Sequence, residues 1–136
     1  MHAFSLRSFA RLIALLLVAG CAASVKHMPE NLIVDDSTSE ADGFSLGHQV
    51  QVSPASGSQR VLKAGSQWRR AGKISHGDVY KPYNGIFTLE GADVHEAWLV
   101  VVDRRLVGFY LPVERGFTPI ATVVELPLSS TRKTRE

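Results

Sequence analysis

The sequence has one cysteine, Cys21, so no disulfide can close within the chain. It also lacks an apolar run long enough to cross a membrane as a helix. The best candidate, Leu12 to Ala23, covers 12 residues. That is ~18 Å of helix against a hydrocarbon core of ~30 Å. No long segment carries the 3.6-residue period of an amphipathic helix, and there is no internal repeat. Excess charge is missing too. The chain totals 15 basic and 13 acidic residues, but Arg7 and Arg11 precede Cys21 and no acid does. From Cys21 onward the remaining basic residues equal the 13 acids. A neutral balance removes the clustered basic surface that nucleic acid requires, so no nucleic-acid partner is expected.

At 45% hydrophobic and 21% charged, the composition is that of a globular protein. The first residues follow another rule. Arg7 and Arg11 precede a short apolar core, Leu12 to Val18, and the small residues Ala19 and Gly20 follow it. This order is that of a cleaved export signal. Val18-Ala19-Gly20-Cys21 resembles the lipobox of bacterial lipoprotein precursors. The resemblance covers only the first twenty or so residues. It implies cleavage between Gly20 and Cys21, then acylation of the Cys21 sulfur and of the new amino group. Two anchoring signals already give stable membrane attachment, and three acyl chains make release negligible. By analogy with lipoprotein sorting in Gram-negative bacteria, the resemblance together with Ala22 in place of an Asp after the cysteine implies export to the outer membrane, with the domain facing the periplasm.

Residues 1–20 therefore read as a signal peptide and 21–43 as a lipidated tether. The tether carries Glu30, Asp35, Asp36, Glu40 and Asp42. Its low hydrophobicity and negative charge predict a solvated linker. Leu32-Ile33-Val34 is the one part able to dock as a strand. Fully stretched, residues 22–43 reach ~75 Å, enough to hold a domain clear of lipid.

Residues 44–128 read as a β-rich domain and 129–136 as a basic tail. Phe44 to Val52 alternates apolar and polar residues, as a half-exposed strand does. Arg60 to Lys63 is expected as a turn or short helix. Strands are predicted over Trp68 to Ile74, with Gly72 as a break, over Asp78 to Lys81 and over Ile86 to Glu90. Tyr83-Asn84-Gly85 signals a turn. The strongest element is His95 to Leu111. Trp98 to Val102 and Leu106 to Leu111 are apolar at consecutive positions, with Asp103-Arg104-Arg105 between them. Both faces of that hairpin need cover. Ala121 to Leu126 is the last predicted strand. Turn residues every 8–12 positions argue for a small antiparallel barrel or sandwich, with at most a short helix near 59–66 or 113–118.

Candidate chemistry is sparse, and no cofactor motif is present. Gly43-Phe44-Ser45-Leu46-Gly47 matches G-x-S-x-G, yet a nucleophile elbow needs a buried strand before it and a helix after it. Ser130-Thr131-Arg132-Lys133 matches S-x-x-K in a charged tail. His48, His76 and His95 lie in or near strands, but two ligands such as His76 and Asp78 do not make a zinc site, which usually needs three or four. Glu114 would need Glu96 or Glu90 nearby to form a carboxylate pair. Trp68-Arg69-Arg70 and Arg104-Arg105 are candidate contacts for an anionic partner. The sequence thus points to a non-enzymatic envelope lipoprotein that binds a protein or envelope polymer. Trp98, Val100, Phe109 and Tyr110 on the spare hairpin face are the expected interface. The alternative is a small cell-wall hydrolase or metal-dependent enzyme, in which Glu114, a histidine and a second carboxylate would share a cleft.

Overall fold

The computed structural model describes residues 24–34 and 42–129. The leader, the Gly20-Cys21 cleavage site and the tail after Ser129 lie outside these residues. In chain order the strands are β1 (Met28–Pro29), β2 (Gly43–Leu46), β3 (Val50–Val52), β4 (Arg60–Leu62), β5 (Gln67–Ile74) and β6 (Gly77–Pro82). They continue as β7 (Thr88–Glu90), β8 (Val94–Glu96), β9 (Trp98–Val102), β10 (Arg105–Leu111), β11 (Gly116–Glu125) and β12 (Leu128–Ser129). The protein is mainly β, as its punctuation predicts. Both candidate helices are absent: 59–66 holds β4, and 113–118 is a turn that enters β11.

The main sheet has the order β1-β11-β10-β9-β6-β5-β2-β12, and every pairing in it is antiparallel. Two small hairpins, β3-β4 and β7-β8, stand beside it. Only Leu126 and Pro127 separate β11 from β12, yet these strands lie near opposite ends of the order. The sheet must therefore coil until its ends meet. No ladder joins β11 to β12, so the result is sandwich-like and not a closed barrel.

Coiling creates two apolar regions. The larger core gathers Leu99, Val101, Phe109 and Leu111 from the central hairpin with Leu46, Val52, Leu62, Trp68, Leu89 and Ile120. The smaller lies on the opposite face and joins Ile74, Val79, Val100, Tyr110 and Phe117, with Leu32 and Trp98 packed on it. Burying each large side chain contributes about 1.5–3 kcal/mol. The β9–β10 turn is Asp103-Arg104, with φ of 49° and 65°. Positive φ at both central positions matches the right-handed strand twist of a two-residue hairpin.

Three expectations change. The alternating stretch 44–52 is not one strand. It breaks at Gly47-His48-Gln49, where the Gly47 amide turns to the Pro127 carbonyl at 2.7 Å, and Val50–Val52 pair instead with β4. The hairpin's second face is not free: Val100 and Tyr110 are 0% and 3% exposed and Trp98 is half-buried, while Phe109, at 0%, lies on the other face in the main core. Nor are residues 24–34 a free tether. Val25 is buried in the main core, β1 pairs with β11, and Leu32 lies on the second face. Ile33 exchanges two backbone hydrogen bonds with Lys73, at 2.8 and 2.9 Å. The apolar hairpin obtains its missing layer from the chain's own N-terminal segment.

Gly72 makes that docking possible. A Cβ there would stand 2.3 Å from the Ile33 carbonyl oxygen. Gly72→Ala is expected to displace Ile33 from β5 and destabilise the protein by about 1–3 kcal/mol through overpacking. Denaturant unfolding with hydrogen exchange at the Ile33 amide checks this. Unchanged protection would refute it.

Candidate functional site

Residues with acid–base chemistry meet at two places. Glu114 stands on the turn between β10 and β11, and its Oε1 is 2.6 Å from Nδ1 of His95 on β8. Their side chains are 23% and 14% exposed. A carboxylate oxygen accepts, so Nδ1 is the donor in this contact and Nε2 is the ring nitrogen it leaves unused. Neither candidate second carboxylate joins them. Glu90 faces Arg60 at 3.9 Å, and Glu96 accepts a hydrogen bond from Trp98 Nε1 at 3.3 Å. Among the described residues, no group of three or more His, Cys, Asp or Glu is placed to hold a metal.

The second meeting is Glu30 with Ser75 and His76. Ser75 sits at the β5–β6 turn and its hydroxyl donates to Glu30 Oε1. His76 Nδ1 lies 2.7 Å from the same carboxylate oxygen and 3.3 Å from Ser75 Oγ. Serine, histidine and glutamate invite comparison with a hydrolytic triad, but the geometry is different. A triad needs the acid on one ring nitrogen and the serine on the other. Here both meet Nδ1, so the ring cannot relay a proton between them. The His76 ring also stacks on Phe117, with centroids 3.9 Å apart. The cluster pins the docked segment 24–34 to the sheet.

The remaining candidates scatter. Ser45 lies within β2, and among the described residues its Oγ reaches only the Ser129 carbonyl, at 3.4 Å. Asp78 pairs with Arg70 at 3.1 Å, not with His76. His48 is exposed, and the His27 ring lies over Gly116. Trp68 is buried, Arg69 stands over the Tyr83 ring at 6.0 Å, and Arg104 and Arg105 are exposed at the far hairpin turn.

A groove of about 610 Å³ lies between β4 and the 82–87 loop. Trp68, Leu62 and Phe87 line it with Arg60, Lys63 and Ile86. Trp68 and Phe87 pack edge to face, with centroids 5.8 Å apart, and Trp68 Nε1 donates to Ser66 Oγ. Ile86 is 73% exposed, unusual for an isoleucine. The Arg60 guanidinium lies 5.3 Å over Phe87, while its buried Nε has no hydrogen-bond partner among the described residues. Among the described residues β4 pairs only with β3, so its outer edge offers unladdered backbone groups. None of Arg60, Lys63, Ile86 or Phe87 stands out in the sequence as a site. The one available signal was Ile86, an apolar residue directly after the Asn84-Gly85 turn.

No protein-family model matches this chain, and no curated protein or solved structure matches it.

The Glu30 cluster has a defined pH response. The Ser75 hydroxyl, followed by His76, holds the Glu30 carboxyl below its ordinary value of 4.5, against an opposing effect of burial. A depressed carboxylate stabilises the folded state above the unfolded pKa, and that contribution is lost as pH falls through the folded pKa. Docking of 24–34 is therefore expected to be full at neutral pH and to weaken below about pH 4. Amide protection factors at Ile33 and Lys73 should fall several-fold across that window. Glu30→Gln should flatten the dependence, and an identical pH profile in that variant would count against the assignment.

Proposed function

We propose that this protein is a lipid-anchored cell-envelope lipoprotein whose β body binds an envelope protein or polymer and turns over no substrate. The observation that carries the anchor is Val18-Ala19-Gly20-Cys21 at the end of a basic then apolar leader. Acyl chains on Cys21 hold the protein at the outer membrane, with the body facing the periplasm. No cofactor enters this reading. The groove at Trp68 and Arg60 supports a binding role and replaces the buried hairpin face as its place. Its free strand edge can accept an extended segment by main-chain hydrogen bonds, and its apolar floor can take alternate side chains. Arg60 and Lys63 favour an anionic partner.

The rival reading, a small cell-wall hydrolase or metal-dependent enzyme, draws on His95 and Glu114. It requires a nucleophile or second carboxylate at His95 Nε2. No described residue hydrogen-bonds to that nitrogen.

Cys21→Ser is expected to release the protein from membranes in flotation; a variant that still floats fully would count against lipidation. A photo-crosslinking residue in place of Ile86 should capture a partner in the intact envelope, while one in place of Val123, exposed on β11, should not. Arg60→Glu should reduce the Ile86 adduct by about tenfold, equivalent to losing ~1.4 kcal/mol of binding. Equal capture from both positions would refute the groove.

A further inference from the structure

The N-terminal segment packs into the body from Val25 onward. Val25 is 5% exposed and belongs to the main core. The Lys26 amide donates to Ser56 Oγ at 2.9 Å. A Cβ on Gly57 would stand 3.3 Å from Val25 Cγ2 and 2.9 Å from the Glu90 carbonyl oxygen. The Ser58 amide donates to that same carbonyl at 2.8 Å, and Glu90 pairs across the hairpin with Val94. The 53–59 loop and the β7–β8 turn therefore gather around Val25. Two exposed apolar side chains belong to these segments: Val94, 67% exposed, on the β7–β8 hairpin, and Met28, 47% exposed, three residues after Val25. Lys26, next to Val25 in the chain, is exposed, and so are the acids Glu90 and Asp93 of the β7–β8 hairpin.

Four peptide units link Cys21 to Val25, and they span at most ~14 Å. An acyl-bearing Cys21 lies at headgroup level, so a body buried from Val25 onward has almost no slack. We infer that the corner formed by Val25, the 53–59 loop and the 90–94 turn lies directly on the bilayer surface, with Val94 and Met28 entering the headgroup region. This inference rests on the acylation of Cys21 proposed above. It reverses the expectation of a body held off the membrane by a long acidic tether. Lys26 is the cation placed to meet anionic headgroups, a contact of about 1 kcal/mol near a charged surface. Glu90 and Asp93 oppose it, so the short link and the apolar side chains hold the orientation. The far end of the body is the Asp103-Arg104 turn. His95 of β8 meets Glu114 just past the other end of β10, and the six steps from Leu111 back to Arg105 span ~20 Å at ~3.3 Å per residue.

Acylation consumes the only native thiol, so a single introduced cysteine can be labelled selectively. Val94→Cys and Arg105→Cys, each in full-length acylated protein, would carry an environment-sensitive fluorophore. Both side chains are exposed, so neither change disturbs the core. In vesicles of phosphatidylethanolamine and phosphatidylglycerol containing brominated lipid, the Val94 label should be quenched roughly threefold more than the Arg105 label, because the interface is only ~5–10 Å deep. Equal quenching, or stronger quenching at Arg105, in protein that carries the acyl mass and floats with vesicles would overturn the orientation and leave the anchor standing. Protein that lacks the acyl mass and does not float would overturn both.

Discussion

A strand hairpin that is apolar on both faces cannot rest on the surface of a small protein. Val100 and Tyr110 point one way from β9 and β10, while Leu99, Val101, Phe109 and Leu111 point the other. Each face left in water would forgo the burial of several large side chains, each contributing about 1.5–3 kcal/mol. The rest of the structure answers that demand. On one side the sheet coils until β12 is brought to β2, enclosing the main core. On the other, Ile74, Val79 and Phe117 supply part of the cover, and Leu32 from the N-terminal segment completes it.

That second layer is held by polar contacts because it has little apolar surface of its own. Ile33 and Val34 are exposed, and only Val25 and Leu32 pack inward. Glu30 supplies the attachment through Ser75 and His76, and Ile33 supplies two backbone bonds to β5 where β2 has ended. Gly72 lets the two backbones approach. Two of the acids that seem from composition to solvate a linker lie among the described residues, and they differ. Glu30 is a structural contact, whereas Asp42 is exposed where its carbonyl accepts from the Arg70 amide at 2.8 Å.

The same docking relocates the search for function. A spare hairpin face no longer exists, and the two histidine–glutamate pairs secure turns to neighbouring strands. What stays open is the groove beside β4, where an aromatic floor, two cations and an unladdered strand edge coincide. These elements come from β4, β5 and the loop before β7, and none of them is distinctive alone.

Period-2 patterning, Gly and Pro punctuation and the two consecutive apolar runs were enough to establish a mainly β antiparallel fold and a central hairpin turning at Asp103-Arg104-Arg105, of which Arg105 already belongs to β10; Gly72, expected as a break, is a register shift inside a continuous β5. These are local properties: side-chain alternation, left-handed turn conformations and backbone freedom act within a few residues. The leader and its Val18-Ala19-Gly20-Cys21 ending are equally local and can be read only from the sequence. Pairing across long separations was decided elsewhere. That residues 50–52 leave β2 to pair with 60–62, that 24–34 dock instead of trailing, and that His95 meets Glu114 across 19 positions depend on which surfaces coiling brings together. A sequence pattern can show that a face needs cover. Only the closure of the sheet decides which segment is near enough to cover it.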